Sequence, residues 1–291
     1  MERERWELLY RLAIVLSRGW PDGHFFSASF IVGVYLWAVI HDRPVCWACE
    51  AFNWPADSVV GRLPTQGTMS RRLRTKAVQN LLLLMEEALR AASREPAAAA
   101  EPLITDGKPL VVGSYSKDLD AKFGRAAGVF ARGYKVEVFW GNSAIPECWD
   151  VWSMNVNEKL MAKELVTRLP GTGWLFGDAQ YDGNELYDDC FGHGYRLIAP
   201  RQKKGELGHH YQSPHRQFAM ELMEGETKFN SLFHAHRTCI ERRFGNWTAF
   251  GGGLAPLPAW VRRPKRVKLW VRAKFLINAC RILRNRERAS A

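Results

Sequence analysis

The segment Ser93–Pro102 separates two stretches of this chain whose hydrophobic periods differ, and so constrains the fold more than any other feature. Pro96 and Pro102 flank a short alanine run there, which marks a domain boundary. Before it, apolar residues recur at helical spacing without sustained strand alternation, and Pro21, Pro44, Pro55 and Pro64 punctuate them into short helices. After it, strand patterns begin. Residues 102–105 and 110–115 are short β-prone runs around Asp106-Gly107-Lys108-Pro109, which together read as a hairpin. Gly133–Trp140 alternates as a third strand. Residues 157–169 then read as a helix, Trp174–Gly177 as a buried strand ending at Asp178, 184–192 as a helix and 195–199 as a strand. Strands first as a set, then alternating with helices, predict an α/β domain with a mixed sheet flanked by helices, preceded by an all-helical domain. The expected boundaries are 1–93 for the helical domain, 94–101 for a linker, 102–252 for the α/β domain and 253–291 for a basic helical C-terminal segment.

Charge narrows the partners. The 291 residues carry 41 Lys and Arg against 30 Asp and Glu, a formal net charge of +11. Eleven basic residues and the single Glu287 lie between Arg262 and Arg288, so nearly all of the excess falls in one C-terminal stretch. A polyanion is the natural partner, with Lys265 and Arg266 among the candidate contacts. Trp270, Phe275, Leu276 and Ile277 interleave with these charges, which argues for a packed helix over a merely solvated tail. The six cysteines follow no disulfide framework and no secretory signal precedes them, so they read as reduced cytosolic thiols. Cys46-Trp47-Ala48-Cys49 has the spacing of half a zinc site, but no second pair follows at module spacing, and a buried structural pair is the favoured reading. The apolar run Phe25–Ile40 spans 16 residues, short of a membrane span, and should be a core helix.

Within the helical domain, residues 63–74 look like a turn and N-cap feeding a helix whose first turns carry Arg71, Arg72, Arg74 and Lys76. Small polar residues followed by arginines suit a helix-turn-helix recognition helix. They suit a packing helix with a charged outer face equally well, and both readings stay open. From Leu81 to Leu84 the helix becomes fully apolar, as core.

Two isolated aspartates and one helical glutamate carry the chemistry. Asp106 should project from a strand-to-turn junction, and Asp178 from the C-terminal end of a later strand, where α/β sheets place ligand groups. Each alone is explained by turn chemistry. His234, Arg237, Glu241 and Thr248 fall on one stripe of a helix, beside the apolar stripe Ile240, Phe244 and Trp247. Arg237 and Glu241 are one turn apart. Three carboxylates on separate elements of a basic chain point to two Mg²⁺ ions and phosphoryl transfer on DNA.

These residues resemble a family. Thr105-Asp106-Gly107-Lys108, Gly177-Asp178-Ala179-Gln180-Tyr181-Asp182, and Arg237 with Ile240-Glu241-Arg242-Arg243-Phe244-Gly245 look like the Asp-Asp-Glu motifs of bacterial insertion-sequence transposases. Tyr134-Lys135-Val136 and Asn155-Val156-Asn157-Glu158 also fit, and the resemblance covers residues 60–285. It implies a ribonuclease-H-like catalytic core preceded by an N-terminal DNA-binding domain. In that family's mechanism Asp106 bridges two Mg²⁺ ions, with Mn²⁺ as a substitute, while Asp178 holds one and Glu241 the other. The metals activate water, then a 3′-hydroxyl, for in-line attack on phosphodiesters. Arg237 contacts DNA phosphate or orients Glu241.

The partner implied is double-stranded DNA, both transposon ends and target, engaged by a homodimer on paired ends in the cytoplasm at the nucleoid, with no membrane. The family's signature helix carries Tyr three positions before the Arg and Lys seven after the Glu; this chain has His234 and Thr248. His234 can still contact phosphate, and Arg242, Arg243 or Lys228 can replace the missing cation. Between Asp178 and Glu241 stand 62 residues, too few for a large inserted domain. The loop with Arg201, Lys203, Lys204, His209, His210 and Arg216 is therefore expected over DNA, His209-His210 as metal ligands being a lesser alternative. A nuclease without strand transfer and a domesticated or inactive DNA-binding protein are the competing readings.

Overall fold

The computed structural model describes residues 1–21, 23–56, 61–95, 101–113, 115–126, 128–202, 211–225, 227–254 and 256–290. Its helices are α1 (Glu2–Leu16), α2 (Ala28–Ile40), α3 (Val45–Ala48), α4 (Gln66–Arg72), α5 (Lys76–Ser93), α6 (Glu158–Val166), α7 (Asn184–Gly192), α8 (Pro214–Gly225), α9 (Thr227–Thr248) and α10 (Pro264–Ser290). The strands are β1 (Leu103–Val111), β2 (Lys122–Ala126), β3 (Val129–Trp140), β4 (Cys148–Ser153), β5 (Gly173–Phe176) and β6 (Tyr195–Ile198). Two compact units result, one of Met1–Arg94, Trp247–Val261 and Lys265–Ala291, the other of Glu95–Asn246 and Arg262–Pro264. Most of the predicted linker, residues 96–100, lies outside the described residues.

The first unit is helical. The Ser27 hydroxyl caps α2 by accepting from the Phe30 amide at 3.1 Å. Every residue of α2 except Phe30 is buried, as a helix apolar on all sides requires. Trp6, Trp37 and Trp54 cluster against it with ring centroids 4.8–5.7 Å apart. Each indole N–H finds a carbonyl: Trp6 at Gly33 (2.8 Å), Trp37 at Asn53 (2.9 Å) and Trp54 at Ala48 (2.9 Å). Gly33 is needed there, because a Cβ would stand 2.7 Å from the Tyr10 ring. Cys46 and Cys49 are half-buried free thiols, and among the described residues no helix is long and apolar enough to cross a membrane.

Two local expectations change in this unit. The single helix read through Arg71, Lys76 and Leu84 is broken: α4 closes at Arg72, the Arg74 and Thr75 amides bond three residues back to Arg71 and Arg72, and α5 restarts after Thr75. Leu81 and Leu82 are core, but Leu83 and Leu84 are exposed by 42% and 37%, because the helical period turns them away. The C-terminal stretch is less available to a polyanion than its composition implies. Residues Trp270–Cys280 of α10 are all buried. Arg272 pairs with Glu86 at 2.8 Å, and the fully buried Lys274 donates to Asp42 (2.5 Å), Val39 O (3.0 Å) and Gly252 O (2.8 Å). Arg284 pairs with Glu4. Lys265 and Arg266, in the first turn, remain exposed.

The second unit is the α/β unit, with sheet order β2-β3-β1-β5-β6 and β4 continuing the β2 edge of β3. β2, β4 and β1 run antiparallel to β3, whereas β5 and β6 run parallel to β1. This mixed sheet flanked by helices is the ribonuclease-H-like arrangement. The hairpin expected around 106–109 does not form. β1 is one continuous strand, because β3 offers ladder partners from Ile104 through Val111. Pro109 is tolerated since the opposite edge of β1 pairs with β5 only at Leu103 and Ile104. One core, including Phe139, Leu165, Leu175, Phe176, Tyr181, Leu197 and Phe233, holds α6, α7, α8 and α9 to the sheet.

Candidate active site

Asp106 and Asp178 owe their proximity to strand register. β1 and β5 pair Leu103 with Leu175 and Ile104 with Phe176, so each aspartate stands two residues beyond the same pair. Past Phe176 the chain leaves the strand, and Asp178 caps the short 3₁₀ turn Ala179–Tyr181 by accepting from the Gln180 amide at 2.8 Å. That turn must pack tightly, as a Cβ on Gly177 would lie 2.9 Å from the Tyr181 ring. Its far side is held by Asp182, which accepts from Arg216 through both oxygens (2.6 and 2.8 Å) and from the Gln202 amide at 3.0 Å.

Charge accumulates at this rim. Burial raises the Asp106 carboxyl from 3.8 to about 6, with Asp178 and Glu158 adding repulsion, while Arg237 and the Gly107 amide (2.8 Å) favour its ionised form. Glu158 pairs with Lys135 at 2.7 Å. Glu137, opposite Gly107 on β3, is fully buried, and burial pushes it well above the usual carboxylate range. Its Oε1 accepts from the Thr105 hydroxyl (2.9 Å) and the Tyr181 hydroxyl (2.5 Å). Gly107 keeps the place clear, since a Cβ would meet Glu137 Oε2 at 3.0 Å and Glu158 Oε1 at 3.2 Å.

Helix α9 crosses the rim. Phe233 and His236 pack on Phe176 of β5, with centroids 5.2 and 5.9 Å apart, and Phe244 packs on Trp140 of β3 at 5.8 Å. Between them Arg237 donates to the Thr105 carbonyl at 2.9 Å and stands 3.7 Å from Asp106 Oδ2. Glu241 follows one turn later, exposed, and so does His234 one turn earlier. Among the described residues no three His, Cys, Asp or Glu side chains form a ready metal cluster. Mg²⁺ needs only one or two carboxylates, with water and substrate phosphate completing its shell, and Asp106 and Asp178 at one rim are carboxylates of that kind.

Residues 98–263 match the sequence model of the transposase DDE domain. The chain belongs to the DDE transposase family. Comparison with curated proteins and with solved structures gave no match. Membership makes it a transposase by family, of the class that cuts and transfers DNA and generally uses divalent metals.

The other basic residues of the transposase read from sequence fall into two groups. Arg71, Arg74 and Arg242 are exposed, like Lys265 and Arg266. Arg72 is buried, and Arg243 donates to the carbonyls of Gly141 and Trp140 (the latter at 3.4 Å), so neither is presented to solvent as Arg71 and Arg74 are. Arg216 is likewise held by Asp182, and Arg201 pairs with Glu224 at 3.6 Å. Lys203, Lys204, His209 and His210 lie outside the described residues. Sequence reading passed over Glu137. Its signal was a carboxylate at an inward position of β3, between Val136 and Val138, in a run buried from Tyr134 to Trp140.

Proposed function

We propose that this DDE transposase binds the terminal inverted repeats of its element, cleaves DNA with divalent metal and joins the freed 3′ ends to target DNA. The observation that carries the reading is the register match of Asp106 and Asp178, with Arg237 of α9 joined to Asp106 and Glu241 one turn beyond. Asp106, Asp178 and Glu241 would hold two Mg²⁺ ions, with Mn²⁺ able to replace them. When bound, the metal supplies a nucleophile at neutral pH and stabilises charge on the transferring phosphate.

The remaining work belongs to the chain. Arg237 fixes Asp106 against the β1 backbone and offsets the repulsion from Asp178. His234 and Arg242 are exposed on α9 beside the half-buried Arg237, and a DNA phosphate is met there. Arg71, Arg74, Lys265 and Arg266 are among the exposed cations of the helical unit, and we assign them to backbone contacts that hold the DNA ends. A homodimer on paired ends, working at the nucleoid, completes the reading.

A joining assay tests it. End-labelled flanking DNA, a target plasmid and Mg²⁺ are incubated with the wild type and with Glu241→Gln. Joined product from the wild type alone supports strand transfer, cleavage without joining indicates a nuclease, and binding without cleavage in either protein contradicts the enzymatic reading.

A further inference from the structure

Glu137 is placed where a carboxylate is costly, and the contacts of one oxygen tie together the two segments that carry the aspartates. Thr105 precedes Asp106 on β1, and Tyr181 ends the 3₁₀ turn that Asp178 caps. Both hydroxyls donate to Oε1 of Glu137, at 2.9 and 2.5 Å. Glu137 arises from a third strand, β3, and is 0% exposed. Oε2 is buried without a hydrogen-bond partner, a cost that well-packed cores normally avoid. An apolar residue would fill the same volume without it, so the acceptor is what the position provides. Beyond Phe176 no ladder joins the chain after β5 to β1. The spacing of the aspartates is therefore left to side chains, and this one bridges the gap.

We propose that Glu137 is a positioning residue that sets the separation of Asp106 and Asp178 through Thr105 and Tyr181, and thereby the affinity of the site for its metal. The proposal rests on the assignment of those aspartates as metal ligands. Burial holds the Glu137 carboxyl toward its neutral form, so Gln, which keeps the acceptor and the shape, is the conservative replacement.

The test is Mn²⁺ binding to the full-length chain, read by electron paramagnetic resonance, for the wild type, Asp106→Asn, Glu137→Gln, Glu137→Ala and Tyr181→Phe. Loosened supports of metal ligands typically cost about 10- to 100-fold in affinity. Tyr181→Phe and Glu137→Ala are expected to weaken Mn²⁺ binding by about tenfold, with Glu137→Gln close to wild type and Asp106→Asn lacking the site. Wild-type affinity in Tyr181→Phe, with the site lost in Asp106→Asn, overturns the positioning role and leaves the metal assignment standing. Wild-type affinity in Asp106→Asn overturns both. Should Glu137→Ala fail to fold, Tyr181→Phe and Glu137→Gln carry the comparison.

Discussion

Arg237 holds Asp106 by two routes at once, standing 3.7 Å from its carboxylate and donating at 2.9 Å to the carbonyl of Thr105 just before it. The planar guanidinium fork spans both acceptors from one fixed pose, which the point charge of a Lys ammonium on a shorter stem does not reproduce. Arg237→Lys and Arg237→Ala should each lower DNA cleavage by about 10- to 100-fold, as loss of a group supporting a metal ligand does. Because Arg237 draws the Asp106 pKa downward, its removal should also move the acid limb of the pH–rate profile upward. An unmoved limb in Arg237→Ala would contradict this.

Asp106 also makes the metal-free protein less stable at neutral pH. In the folded chain it titrates at about 6 instead of 3.8, so between these values the folded state holds a proton that the unfolded state has released. Stability therefore falls as pH rises through that window, and the deficit remains at pH 7. Asp106→Asn should stabilise the protein in EDTA at pH 7 by roughly 2 kcal/mol and have little effect near pH 4. Thermal melts at the two pH values decide this, and equal shifts at both would refute it.

The candidate motifs stand out in the sequence because they are local. A strand run ending at Asp178 and a helical stripe through Arg237 and Glu241 need only periodicity, and the structure has both elements. The Asp106 turn was misread, since Gly107 and Pro109 signal a turn until β3 is present to pair with β1 across them. Glu137 shows in the sequence only as a carboxylate within a core-like run, because its partners Thr105 and Tyr181 are distant in sequence. In α10, charge was counted without its internal partners, and Arg272 and Lys274 find theirs in Glu86 and Asp42.

Lys274 should matter to folding and not to DNA. It is fully buried and satisfies Val39 O and Gly252 O as well as Asp42. Lys274→Met should cost about 3 kcal/mol, because it leaves the carbonyls of Val39 and Gly252 without their donor. Urea denaturation measures it; a loss below 1 kcal/mol, on the order of an exposed ion pair, would contradict the role.

Exposed and inward-facing arginines should separate in a salt titration of DNA binding. Arg71→Ala, Arg74→Ala and Arg266→Ala should each reduce the slope of log affinity against log salt by about 1. Arg72→Ala and Arg243→Ala should leave the slope unchanged and lower the melting temperature. The opposite pattern would move the DNA surface elsewhere.

Direct metal ligation by the aspartates is the central claim, and exchange of ligand softness tests it most directly. Asp106→Cys and Asp178→Cys place a thiolate where an oxygen ligand stood, which disfavours Mg²⁺ and accepts softer ions. Cleavage should vanish in Mg²⁺ and return in part with Mn²⁺ or Cd²⁺. Wild-type cleavage by either variant in Mg²⁺ would show that these carboxylates do not hold the metal.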